Sequence, residues 1–499
     1  MKVFLLYRNH DFNLKQPLPW NEKELTSDLE LDVLFEAMAQ DDEFLFDISK
    51  KVILASTKGD VETILFRQQI LKDCLNNSTV INLLYDISVG AIDRRRHSWF
   101  GVFTKSPSSI LSSSVGMMEI YAGVLKELRN AIDENVNKFQ SEGFRRLFSM
   151  LQTELSDAYF EEIQNHLDEL KFRDGLLISY QLGKGNKAIN SRLHRLTAEK
   201  LNWLQRLFSK KPPAYTFYVH PRDESGVRAL SDIKDKAINE VANALAQSND
   251  HILQFFTMLR TELAFYVACL NLHRQLEDTG GQVCFPEPAA TAEEKENFEG
   301  LYDICLALKM KQRIVGNDAK ADHKGLTIIT GANQGGKSTF LRSIGLSQIM
   351  MQAGMFVGAT HFSTSICNSI FTHFKREEDT TMKSGKFDEE LSRMSRIADH
   401  IIPNSMFLFN ESFAATNERE GSEIAGQIVK ALQEKGHKVF FVTHLYDFAH
   451  NFFNHASNGV LFLRAERHED AARTFKLSVG EPLSTSYGLD IYKNIFGNE

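Results

Sequence analysis

The stretch that decides the fold is GLTIITGANQGGKSTFLRSIGLSQIMM, residues 325–351. It begins with a β-type run, Leu326 to Ile329, and ends with a helical run, Phe340 to Met351. Between them stands Gly-x-x-x-x-Gly-Lys-Ser, from Gly331 through Gly336, Lys337 and Ser338. A strand, a glycine-rich loop and a helix in that order form the context in which such a loop cradles phosphates. The glycines let backbone N–H groups face an anion, and the helix N-terminus adds its dipole. The expected ATP-binding set is therefore Gly331, Ala332, Asn333, Gln334, Gly335, Gly336, Lys337, Ser338 and Thr339. Lys337 supplies a cation to the β and γ phosphates, and Ser338 supplies a hydroxyl to Mg2+.

A loop of this kind needs an acid at the end of a neighbouring strand. The run Met406 to Phe409 ends in Asn410-Glu411. Glu411 is expected to orient a water on the γ phosphate. Asn410 occupies the position where a metal-holding Asp is usual. It can hydrogen-bond a metal-bound water but carries no charge, so nucleotide binding with little hydrolysis is the competing expectation. A third strand, Val439 to Thr443, ends at His444, which is expected to contact the γ phosphate from the carboxyl edge of the sheet. Lys383 to Phe387 (KSGKF) reads equally as a loop touching nucleotide or as a solvated turn.

Outward from the loop, apolar strands alternate with amphipathic helices from Leu326 onward, which predicts an α/β domain with a largely parallel sheet. Residues 281–323 read as irregular, with a domain boundary at Gly280-Gly281. Upstream lie two long helical patterns, residues 112–172 and Val227 to Leu276, the first with a possible kink or break at Gly143. Between them a tip segment, Lys171 to Arg222, carries strand-like runs at Leu176–Leu182 and Tyr215–Val219 and a helix around Ile189 to Phe208. Residues 60–77 predict another helix. The expected division is a helical packing domain at 1–111, long helices with a tip at 112–280, and an α/β domain at 281–499.

Composition narrows the class. Apolar residues make up 43% and charged residues 24% of 499, which fits a globular protein with sizeable cores. No run of about 18 uncharged apolar residues occurs, and the N-terminal apolar stretch lacks a small-residue cleavage site, so neither a membrane partner nor a signal peptide is expected. Five scattered cysteines without a CxxC pair read as reduced thiols in a cytoplasmic protein. Phe is abundant at 37, which we assign to packing.

Residues 281–499 resemble the ATPase domain of the MutS family of DNA mismatch-repair proteins. The phosphate loop and following helix are similar, with Ala332 and Gln334 where Pro and Met are usual. Val315-Gly316-Asn317-Asp318 resembles the segment beside the adenine, which adds Asn317 to the ATP-binding set. GKFDEEL (385–391) resembles the element that reaches the partner subunit's nucleotide, with Gly385 where Ser is expected. FLFNESFAATNEREGSEIA resembles the metal-acid strand and the loop after it, with Glu420 in place of Asp. VTHLYDF and Ser486-Tyr487-Gly488-Leu489 resemble two further family elements. More weakly, FRQQILKDCL resembles a core helix, the long helices resemble levers and the tip resembles a DNA clamp.

The resemblance implies a multidomain architecture: a mainly α-helical core with long lever helices and a small clamp, plus an α/β P-loop domain of the ABC type. It also implies a homodimer through the ATPase domains and a short form lacking the mismatch-reading and connector domains. Independently, the tip holds eleven Lys or Arg against Asp174 and Glu199 in a chain whose net charge is −8. Lys184, Lys187, Arg192, Arg195, Lys200, Arg206, Lys210 and Lys211 are the expected nucleic-acid contacts, with aromatics between them. Duplex or branched DNA is the expected partner. Structured RNA or the ribosome remains open, since phosphate contacts carry little sequence information.

Overall fold

The computed structural model describes residues 1–98, 106–173, 175–186, 188–194, 216, 218–220, 222–332, 334–376, 385–455, 458–467 and 473–482. The chain separates into two compact units. One comprises Met1–Val3, Leu83–Val136 and Arg146–Arg260; the other comprises Phe4–Asn82, Asn137–Arg145 and Thr261–Glu499.

Helices dominate the first half: α1 Glu22–Asp28, α2 Leu31–Ala39, α3 Glu43–Ala55, α4 Val61–Asn76, α5 Ser78–Ser98, α6 Pro107–Asn135, α7 Glu142–Glu154, α8 Asp157–Leu170 and α9 Glu224–Asp278. Their starts are written locally. Asp42, Asp60, Ser106 and Ser156 each accept a backbone N–H of the first turn, and Pro107 follows the Ser106 cap. The predicted helix at 60–77 is α4.

The first long pattern is not one helix. It breaks between Asn135 and Glu142 and again at Leu155-Ser156. Gly143 is not the break: it lies inside α7, where a Cβ would stand 2.5 Å from Ile70 Cδ1. The residue is small because α4 packs there. The second long pattern is the single 55-residue helix α9. An 18-residue window of α9 has a mean hydropathy of 1.2, and 72% of that window is buried. Burial of this extent is the mark of a core helix.

Within the first unit, α6 and α9 are joined by Asn249 Nδ2 donating to Ser114 O at 2.9 Å and by Tyr121 against Phe256, ring centres 6.4 Å apart. The tip is an antiparallel hairpin, β1 Leu177–Leu182 with β2 Ala188–His194. Strand β2 corrects the expected helix at 189–208 over its first residues. In Ile189–His194 the half-buried Ser191 and Leu193 alternate with exposed neighbours, a period of two that a helical reading of so short a run misses. The remainder of that expected helix lies outside the described residues. Of the second expected strand, Tyr215 and Phe217 lie outside them, and Thr216, Tyr218 and Val219 are not in a strand.

In the second unit the span 281–323 is ordered, correcting the irregular reading: β3 Glu287–Ala289, β4 Glu296–Leu301, α10 Ile304–Met310 and β5 Asn317–Lys320. Then follow β6 Leu326–Thr330, α11 Lys337–Gln352, β7 His361–Ser365, β8 Ser369–Phe374, α12 Lys386–Ala398, β9 Ser405–Asn410, α13 Glu418–Glu434, β10 Lys438–Val442, α14 Tyr446–Asn454, β11 Val460–Arg467 and β12 Arg473–Val479. Strands β8, β9, β10, β6 and β11 are parallel in that spatial order, and β12 adds antiparallel to β11. Strands β3, β7, β4 and β5 form a second, mixed sheet. The predicted largely parallel α/β arrangement is present, with strands buried on both faces. Much of the phenylalanine is here: Phe371 stacks on Phe407, Phe409 on Phe441, and Phe441 meets Phe448, at 5.1, 5.1 and 4.7 Å.

The far end of α11 is anchored in the helical layer. Gln352 Nε2 donates to Thr57 O at 2.9 Å, and the buried Arg67 donates to Ser56 Oγ at 2.7 Å and Leu6 O at 2.8 Å. Helix α11 is thereby fixed at one end while its other end opens on the site.

Candidate functional site

The site lies at the carboxyl ends of the parallel strands, where open α/β sheets bind ligands. Strand β6 ends at Thr330, and the chain turns back through Gly331, at φ 109°, and Gly336, at φ 87°. A Cβ on Gly331 would stand 2.8 Å from Ala465 N, and one on Gly335 would stand 2.7 Å from Ala465 Cβ. Glycine is therefore demanded by backbone twist and by the closeness of β11. Helix α11 begins at Lys337 with no side-chain cap, so the N–H groups of its first turn face the crevice unclaimed by a cap.

Lys337 is 4% exposed, and its Nζ donates to Gly331 O at 2.8 Å and Ala332 O at 2.9 Å. The ammonium is folded back over the loop. Burial holds its pKa below the usual lysine value, and the Glu411 carboxylate opposes that shift. Ser338 Oγ donates to Asn410 Oδ1 at 2.8 Å, bringing together the two residues expected at a metal. Thr339 stands in the wall of the crevice, as do Gln334, Gly335 and Gly336. Asn333 lies outside the described residues.

Glu411 follows β9 with a left-handed backbone, φ 52°, and its N–H donates to Val442 O at 2.8 Å. A non-glycine residue held there is locally strained and kept so by its surroundings. His444 Nδ1 stands 3.9 Å from Glu411 Oε1, an ion-pair distance. The His444 imidazole, with Lys337 and Lys375 behind it, holds the Glu411 carboxyl below its ordinary value against the opposing effect of burial.

A cavity of about 410 Å³ opens beside the loop. One wall is Gly336 to Phe340 with Glu411; the other is Tyr302, Leu306, Met310, Val315 and Phe475. Asn317 lies in this wall, its amide already used by β12: Nδ2 donates to Phe475 O at 3.2 Å and Oδ1 accepts from Leu477 N at 2.8 Å. Sequence reasoning missed the apolar wall. Tyr302 to Met310 carried no motif, and Phe475 comes from an edge strand 139 residues beyond Gly336. The one available signal was the clustering of apolar side chains next to Val315-Asn317.

Ser338 and Asn410 offer a divalent cation one hydroxyl and one amide oxygen. Among the described residues no group of three or more His, Cys, Asp or Glu could hold a metal. A donor set of that kind fits Mg2+, which keeps several waters and completes its shell with substrate phosphates.

Of the expected nucleic-acid contacts, Lys184 stands in the turn between β1 and β2, and the exposed Arg192 is on β2. Leu177, Tyr180, Leu182 and Ile189 are exposed on the same hairpin. Lys187, Arg195, Lys200, Arg206, Lys210 and Lys211 lie outside the described residues, as do Lys383, Ser384 and Ser486 to Leu489.

A strand, a glycine-rich turn and a buried lysine opening a helix, joined to a half of long helices, define a class that comparison with known sequences identifies. Residues 59–279 match the MutS2 N-terminal domain, and residues 327–497 match MutS domain V. The chain belongs to the MutS family. It is similar to the DNA mismatch repair protein MutS of Leuconostoc citreum, 22% identical over 73% of this chain and 41% of that one. The protein of the same name from Alkaliphilus metalliredigens is 31% identical over 32% of this chain and 18% of its own. That of Bacillus subtilis is 27% identical over 43% and 26%. The chain thus spans well under half the length of these relatives.

Proposed function

We propose that this chain is a DNA-binding ATPase that uses ATP to switch a basic clamp, acting in DNA repair or recombination, with mismatch repair the process the relatives' names suggest. The observation that carries the reading is Lys337 folded onto Gly331 O and Ala332 O at the open end of an uncapped helix. A triphosphate takes over the ammonium and the first-turn N–H groups. The apolar wall from Tyr302 to Phe475 accommodates the base, and Asn317 braces that wall.

Ser338 and Asn410, with the phosphates, would hold Mg2+, which would supply positive charge to the leaving group. Glu411, ionised and facing the crevice, accepts a hydrogen bond from the attacking water and takes its proton. His444 steadies Glu411 and stands where the γ phosphate ends. The domain division is 1–111, 112–280 and 281–499, the working assembly is a cytoplasmic homodimer joined through the ATPase domains, and Lys184 and Arg192 belong to the phosphate-contacting tip. Ordering of loops by the γ phosphate is the physical means of switching.

A second reading rests on Asn410: with an uncharged metal residue, the chain works as a nucleotide-gated scaffold that hydrolyses little. A binding panel of duplex DNA, branched DNA and structured RNA, run with and without ATP, tests the proposal. Nucleotide-dependent DNA binding supports it. RNA preference moves the target, and indifference to every nucleic acid at low salt removes the clamp.

A further inference from the structure

Strands β8 and β9 run in parallel register with Phe374 opposite Asn410. One residue on, Lys375 N–H donates to Asn410 O at 2.9 Å. This bond closes the ladder and sets Lys375 laterally beside the Asn410-Glu411 pair, at the carboxyl edge that carries the nucleotide site. Lys375 is exposed, and among the described residues it has no ion-pair partner. Lys438 and Arg342 are by contrast paired, Lys438 with Glu296 at 3.0 Å, and Arg342 with Asp303 and Glu30. An exposed lysine thus adjoins, through its backbone, the Asn410 whose side chain brings no charge to the metal position, and its charge already acts on Glu411.

On the reading that ATP occupies the crevice, we propose that Lys375 is a second protein cation for the terminal phosphate. It supplies part of the positive charge that Asn410, unlike a carboxylate, does not help a divalent ion to supply. An uncharged Asn410 leaves the cation held by a hydroxyl, an amide oxygen and the phosphates alone. A lysine at the neighbouring strand end is a mobile point charge on a long stem, suited to meeting phosphate oxygens without fixed geometry. The site consequently binds free triphosphate, whose charge is less neutralised, more tightly than a carboxylate-bearing site does.

The test is ATP affinity of the full chain by calorimetry, with excess Mg2+ and again in EDTA, for wild type, Lys375→Met and Lys375→Arg. Loss of one nearby charge in a partly solvated site is expected to weaken metal-free ATP binding by roughly ten-fold and Mg-ATP binding by less than about three-fold. Lys375→Arg restores both, which separates lost charge from lost folding. Equal losses under the two conditions, or none, overturn the role of Lys375 while leaving the nucleotide site in place. Absence of ATP binding by the wild type under either condition overturns the nucleotide reading and this inference with it.

Discussion

The hydroxyl of Ser338, one residue into helix α11, donates to the amide oxygen of Asn410 at the end of β9, 2.8 Å away. These residues are 72 positions apart in sequence, and the parallel order β6-β10-β9 brings them together. The bond prearranges two oxygen atoms at the mouth of the crevice before any cation arrives. It also makes Asn410 the point where charge can be added without reshaping the site.

Asn410→Asp is therefore expected to lower the Mg2+ concentration for half-maximal ATPase activity by on the order of ten-fold, since it puts a full negative charge beside Ser338 Oγ. A magnesium titration of turnover at saturating ATP measures this. An unchanged midpoint denies that Asn410 faces the metal.

Glu411→Gln keeps the shape of the side chain and removes its basicity. Turnover is expected to fall by about 10²- to 10⁴-fold with ATP affinity within about three-fold of wild type. Steady-state kinetics with a binding titration reads both quantities. Full activity in the variant assigns the base elsewhere.

Buried His373 is expected to make the second unit acid-sensitive. Its Nε2 donates to Glu390 O at 3.0 Å and its Nδ1 meets Ser412 Oγ at 2.8 Å; burial, with Arg393 next, pushes its pKa down to about 3. The folded state thus binds this proton less readily than the unfolded chain, where His titrates near about 6.5. Stability from this group is present above that value and is lost as pH falls from about 6.5 toward about 3. Denaturant melts of wild type and His373→Asn between pH 7 and pH 4 should show the wild type losing more. Parallel pH dependences exclude His373 as a source of acid lability.

Lys184→Glu with Arg192→Glu reverses two charges on the described part of the hairpin. DNA affinity is expected to drop, and the slope of log K against log salt to shrink by about two. Filter binding across a salt series is sufficient, and an unaltered slope would falsify phosphate contact at these two residues.

How much of this was legible beforehand follows the range of the forces involved. The strand-loop-helix at 326–351 and the 55-residue helix α9 are local patterns with long periodic runs, so the sequence carries them openly. Strand β2 is only seven residues, and its Ile189 and Leu193 suit a helix turn as well as an alternating strand; pairing with β1 decides between them. Gly143 looked like a helix breaker because a single sequence does not show Ile70 pressing on it. Phe475 and Tyr302 share one cavity only because β12 folds back antiparallel on β11, a tertiary event with no local signature.

The most direct measurement is ATP binding by Lys337→Met, compared with wild type by calorimetry under the same magnesium concentration. Removal of the buried ammonium that touches Gly331 O and Ala332 O is expected to weaken binding by about 100-fold or more, with the fold intact by circular dichroism. Wild-type affinity in a folded Lys337→Met protein would place the nucleotide elsewhere and contradict the account at its root.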